Sequence, residues 1–116
     1  MRIGLLGFGT VGKGVYELTS ARKDMQVVKV LCRKERTLPD AEVTHDFQDI
    51  LRDDSIDTVV ETIGGLHPAK EYVMAALEAG KHVYSEKPLA LTCAECRELE
   101  ATAKAHGVLL GCAPDT

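Results

Sequence analysis

Near its start the chain reads Arg2-Ile3-Gly4-Leu5-Leu6-Gly7-Phe8-Gly9-Thr10-Val11-Gly12. Arg2 to Gly7 is a short apolar run closed by glycine, which is how a strand buried on both faces of a parallel sheet reads. From Thr10 to about Ala21 the pattern takes helical spacing, with Val11, Val15 and Leu18 expected on one face. Gly7, Gly9 and Gly12 therefore stand as a G-x-G-x-x-G turn between a strand and a helix. In that setting each glycine has its own physical reason. The first permits the tight turn, the second lets a pyrophosphate approach the backbone, and the third lets helix and strand pack closely. The first amides of the helix then face the anion. The turn implies a dinucleotide site.

Outward from this unit, strand-like and helix-like segments alternate. Met25 to Cys32 is rich in β-branched residues and reads as a second strand. A polar stretch from Arg33 to Glu42 with Pro39 reads as a loop, and Val43 to His45 as a short third strand. Phe47, Ile50 and Leu51 give one or two helical turns, and the acidic run Asp53, Asp54, Ser55, Ile56, Asp57 reads as a solvated turn. Thr58 to Thr62 is a fourth strand; a helix runs from Pro68 to Ala79, with Gly80 as its stop. Lys81 to Ser85 is a fifth strand. Thr92 and Glu95 form a capping box for a helix to about His106, and Val108 to Gly111 is a sixth strand. The alternation predicts a doubly wound parallel α/β domain of three layers, strand order 3-2-1-4-5-6, occupying residues 1–116 as one dinucleotide-binding domain.

Composition narrows the partners. Acids outnumber bases, 18 to 14, for a formal net charge of -4, and aromatics are only 4%. A nucleic-acid binder would show a basic surplus with interleaved aromatics, so nucleic acid is not expected. No apolar run approaches the roughly 20 residues that span a bilayer, and no membrane association and a cytoplasmic location are expected. Reduced thiols are expected for Cys32, Cys93, Cys96 and Cys112.

The end of the second strand separates the two nicotinamide cofactors. A site for NAD offers an acid to the ribose hydroxyls there, and one for NADP offers Arg or Lys. Here the strand runs out in Arg33-Lys34, and the first acid is Glu35. NADP(H) is therefore preferred to NAD(H), with Arg33 pairing with the 2′-phosphate and Lys34 assisting. Thr62-Ile63-Gly64-Gly65 follows the fourth strand at its carboxyl end, where Thr62, Gly64 and Gly65 would let the backbone approach the ribose or nicotinamide. Lys87, before Pro88, lies past the fifth strand on the same edge. It could hydrogen-bond the substrate oxygen that gains or loses a proton during hydride transfer, or the nicotinamide ribose. Cys93-x-x-Cys96 sits in a first helical turn whose inward face should hold Cys96, Leu99 and Ala103, and no second cysteine pair completes a zinc set. No metal site is expected, and none of His45, His67, His82 and His106 is expected to be a catalyst.

The stretches GLLGFGTVGKGV and ETIGGLHPAKEYVMAALEAGKHV resemble the cofactor-binding domain of homoserine dehydrogenase over about two thirds of the chain. That resemblance implies that Phe8, Thr10 and Val11 line the cofactor phosphates and ribose. It places Arg33 at the adenosine end and Thr62 with Gly64 at the nicotinamide end, and matches Lys87 to the lysine that follows the fifth strand. The remainder departs from it. Tyr84-Ser85-Glu86-Lys87-Pro88-Leu89-Ala90 and the ending Gly111-Cys112-Ala113-Pro114-Asp115-Thr116 are similar to the family of glucose-fructose oxidoreductase and inositol dehydrogenase, whose E-K-P lysine contacts substrate and cofactor. Both resemblances imply NAD or NADP on one fold, with homoserine and aspartate semialdehyde as the leading substrate pair and a sugar or polyol as the alternative. Both also imply a second, substrate-binding domain and a homodimer. The expectation is that this domain is absent here and that the isolated chain is inactive or nearly so. A non-catalytic nucleotide-binding module or truncated scaffold is the remaining alternative.

Overall fold

The computed structural model describes residues 1–63, 69–85 and 93–112. They form one parallel sheet of β1 (Arg2–Leu6), β2 (Gln26–Leu31), β3 (Glu42–Thr44), β4 (Thr58–Glu61), β5 (His82–Ser85) and β6 (Leu110–Cys112). Their spatial order is β3-β2-β1-β4-β5-β6, the order the sequence predicts. The helices are α1 (Thr10–Ser20), α2 (Gln48–Leu51), α3 (Ala69–Glu78) and α4 (Cys93–Ala105). Because the order turns back beside β1, a crevice opens at the carboxyl ends of β1 and β4.

The apolar strands are explained by burial on both faces. Ile3 and Leu5 of β1 join Val27, Val30 and Val60 on one face, against Phe8, Val15 and Tyr16. Leu6 joins Ile50, Ile56, Val59, Val73, Leu77, Val83 and Leu99 on the other, beneath α2, α3 and α4. Each fully buried aliphatic side chain of this kind stabilises the fold by about 1.5–3 kcal/mol. Gly4 lies on the second face, where a Cβ would stand 2.7 Å from Ile50 Cγ2. Its missing side chain lets the helical layer close over the central strand.

Two expectations about helix faces need correction. On α1 the buried residues are Gly12 and Thr19, while Val11 and Leu18 are exposed. The helix is turned because Gly12 packs directly on the Gly7 carbonyl, where a Cβ would collide. On α4, Leu99 and Ala103 face the core as expected, but Cys96 is exposed. Strand bounds also shift. β3 ends at Thr44, which releases His45 from the ladder, β2 ends at Leu31, with the Cys32 amide still donating to the Thr44 carbonyl at 3.2 Å, and β6 begins two residues late, at Leu110.

The acidic run before β4 is more than a solvated turn. Asp53 accepts from the Ser55 amide at 2.9 Å and hydroxyl at 2.6 Å, and pairs with Lys29 at 3.1 Å. Lys81, 5% exposed, donates to the Asp53 and Ile56 carbonyls at 2.9 and 2.8 Å. Asp57 accepts from the Thr58 hydroxyl at 2.8 Å and from the Arg2 amide at 3.3 Å. The Ser55 donors, with Lys29 close by, hold the Asp53 carboxyl down at about 2. Together these groups knit the amino edge of the sheet.

Candidate functional site

At the opposite, carboxyl edge lies a cavity of about 720 Å³. Its floor is the glycine turn. Gly7 has φ +93°, a left-handed backbone that only glycine adopts without strain, and its amide donates to the Leu31 carbonyl at 2.8 Å. The Thr62 hydroxyl donates to the Leu6 carbonyl at 2.7 Å, with the Gly7 carbonyl also in range at 3.2 Å, so the loops after β1 and β4 are held together. At Gly9 a Cβ would meet nothing within 4 Å, which leaves open space over the turn. Gly9 is also the N-cap of α1. No side chain caps that terminus and its first turn holds no acid, so its amides are open to an anion.

One wall is the loop after β2. Arg33, Lys34 and Arg36 line the cavity together with Cys32 and Leu31. The Arg36 guanidinium lies 4.6 Å above the Phe8 ring, and Phe8 meets Tyr16 edge-on with ring centroids 5.7 Å apart. Arg36 Nε is buried and has no hydrogen-bond partner among the described residues. His45 bridges the loop, with Nδ1 at 2.6 Å from the Cys32 carbonyl and Nε2 at 2.9 Å from the Glu35 carboxylate. Those two acceptors, the carbonyl first, hold the His45 pKa above its ordinary value. Ile63 and Tyr72, the latter from α3, complete the lining.

The structure thus brings Gly7, Phe8, Gly9, Arg33, Lys34 and Thr62 to one cavity. Gly12 is buried behind the turn, and Thr10 and Val11 are exposed on the first turn of α1, outside the lining. Gly64, Gly65 and Lys87 lie outside the described residues, as does Thr92 of the capping box. Sequence reasoning missed Arg36, His45 and Tyr72. Arg36 carries the same charge as Arg33 and Lys34 and lies only three positions past Arg33, and His45 follows the third strand at the same edge. Tyr72 left no signal, being one aromatic in an apolar helix.

Among the described residues no group of His, Cys, Asp or Glu is placed to hold a metal ion, and no helix is long and apolar enough to cross a membrane. Cys32 and Cys96 are free thiols. The open turn, the uncapped helix and the cationic wall fit a dinucleotide, whose phosphates want donors and positive charge.

Comparison with known proteins agrees with this geometry. Residues 1–113 match the model of an oxidoreductase family with an NAD-binding Rossmann fold. The scyllo-inositol 2-dehydrogenase (NADP(+)) of Bacillus subtilis is 36% identical over 116 aligned residues, covering 95% of this chain and 32% of that protein. Homoserine dehydrogenase of the same organism is 33% identical, covering 92% of this chain and 28% of that protein. The crystal structure of Staphylococcus aureus homoserine dehydrogenase at pH 7.0 superposes with a TM-score of 0.85 at 32% identity, covering 97% of this chain and 32% of that one. The chain therefore spans about a third of the length of the relatives it matches. Both resemblances read from the sequence are present, one in each set of relatives. The strand order, the glycine turn and the family match lead to one conclusion: the chain belongs to the oxidoreductase family with an NAD-binding Rossmann fold.

Proposed function

We propose that the chain is the cofactor-binding unit of a dehydrogenase that prefers NADP(H) and accepts NAD(H). The observation that carries this reading is the single cavity joining the open glycine turn to a wall of three cations, Arg33, Lys34 and Arg36. Gly7, Gly9 and the first amides of α1, with Thr10 and Val11 beside them, would hold the pyrophosphate, and Gly12 would keep the helix close. Arg33 and Lys34 would meet the 2′-phosphate, with Phe8 and Arg36 beneath the adenosine. Thr62, with Gly64 and Gly65, would face the nicotinamide ribose. When bound, the nicotinamide supplies a hydride donor or acceptor. Lys87 would hydrogen-bond the reacting oxygen and hold or release its proton.

Homoserine and aspartate semialdehyde are the leading substrate pair, supported by the glycine-turn and ETIGG segments and by the homoserine dehydrogenase relatives. A polyol substrate is the second reading, favoured by Glu86-Lys87-Pro88 and by the inositol dehydrogenase relative. Calorimetric titration of the chain with NADPH and NADH tests the binding half. Arg33→Ala is expected to weaken NADPH by about tenfold and NADH by much less, the size of a charge-assisted hydrogen bond. Equal loss for both removes the 2′-phosphate role. For the catalytic half, homoserine- or polyol-dependent reduction of NADP by the chain alone is expected to be negligible. Turnover that is lost in Lys87→Ala would overturn that expectation.

A further inference from the structure

His45 stands just past β3, at the wall of the cavity, between the end of β2 and the loop that follows it. Its two ring nitrogens meet the Cys32 carbonyl and the Glu35 carboxylate at 2.6 and 2.9 Å. A carbonyl oxygen and an ionised carboxylate only accept, and a neutral imidazole has one N–H to donate. Both bonds are therefore made together only when the ring carries two protons and a positive charge. The other ionisable groups lining the cavity are Cys32, Arg33, Lys34 and Arg36 from the loop after β2, and Tyr72 from α3. Asp46, next along the chain, accepts from the Gln48 amide at 2.9 Å. Among the described residues, Glu35 is the carboxylate paired with the ring, and its side chain is 94% exposed.

We infer that His45 and Glu35 together make the choice between NADP(H) and NAD(H) depend on pH. The inference rests on the reading that the Arg33 to Arg36 wall takes the adenosine end of the cofactor. With the ring protonated, Glu35 is held on His45, and the wall presents Arg33, Lys34, Arg36 and His45 to a 2′-phosphate. Loss of the ring proton removes one positive charge and leaves one N–H for two acceptors; kept on the Cys32 carbonyl, the shorter contact at 2.6 Å, it releases Glu35. Glu35, the first acid after β2, then turns to the ribose hydroxyls, where a carboxylate favours NAD(H) and repels a 2′-phosphate. The imidazolium persists below the His45 pKa, so preference for NADP(H) is greatest there and falls as pH rises through that value. Because the pair is exposed, the change in the affinity ratio is modest, about threefold.

The test is the ratio of dissociation constants for NADP+ and NAD+, measured on the chain between about pH 6 and pH 9, for wild type, His45→Gln and Glu35→Gln. A phosphate monoester titrates on its own near pH 6. That contribution is common to all three proteins, so the difference between wild type and variants is the reading. The wild-type ratio should move toward NAD+ by about threefold more than either variant as pH rises. NMR titration of the His45 ring should show its pKa dropping in Glu35→Gln. Identical pH profiles in all three proteins overturn the inference while leaving the cofactor reading intact. Failure of both nucleotides to bind at any pH overturns the cofactor reading, and the inference with it.

Discussion

The two edges of the sheet hold similar residues and use them in opposite ways. At the amino edge, Lys81, Lys29, Asp53 and Asp57 spend their hydrogen-bonding capacity on neighbouring carbonyls, amides and one another. At the carboxyl edge, Arg33, Lys34 and Arg36 line an open cavity, with Arg36 laid over the Phe8 ring at 4.6 Å. Paired charges hold loops in place, whereas charges left facing a cavity are available to a ligand. By this measure the amino edge is scaffold and the carboxyl edge holds the candidate site.

The largest expected effect sits where the two roles meet. In Gly12→Val the new side chain runs into the Gly7 carbonyl, a backbone atom that cannot rotate away. Overpacking of this kind costs about 1–3 kcal/mol, and displacement of the turn should weaken dinucleotide binding by at least about tenfold. Urea unfolding together with calorimetry measures both. A variant with wild-type stability and affinity would show that close helix packing is not what shapes the turn.

Lys81→Met separates the edges. It leaves the carbonyls of Asp53 and Ile56 without their buried donor, and unfolding free energy should fall by about 1.5–3 kcal/mol. NADPH affinity should stay within about twofold of wild type, because the substitution lies at the far edge. A matching loss of affinity would break the division into scaffold and site.

The acid limb sharpens the same contrast. The carboxyl of Asp53 titrates at about 2, below the ordinary unfolded value near 4. Its contribution is therefore complete above the unfolded value and is lost as pH falls through the folded one. The urea midpoint should decline between about pH 4 and pH 2, and Asp53→Asn should flatten that decline. An unchanged slope in the variant would assign acid sensitivity to other carboxylates. Smallest is Arg36→Leu, which keeps an apolar contact with Phe8 and removes the cation. It should weaken NADPH by about threefold, with stability little changed, and equal affinity would remove Arg36 from the adenosine wall.

Much of this was legible in the residues. β1, the glycine turn and the start of α1 follow from patterns within a dozen positions; the alternation of periods gives the parallel sheet, and the glycine turn after β1 points to its strand order. On α1 hydrophobicity alone favours Val11 and Leu18 as the inner face, whereas contact between the Gly12 and Gly7 backbones turns Thr19 inward. The acidic run before β4 reads locally as a solvated turn because Lys29 and Lys81, which tie it down, come from positions far along the chain. Arg36 and His45 reach the site because β2 and β3 end where they do, and a shift of one residue in a three-residue strand decides whether His45 is laddered or free.

The element types, their order along the chain and the glycine turn can be read from the residues alone, because side-chain periodicity and the steric freedom of glycine act locally. Which charges are consumed as scaffold and which line the cavity at the carboxyl edge is settled by the folded chain as a whole. That choice is made by parallel pairing, which brings together residues that no short stretch of chain relates.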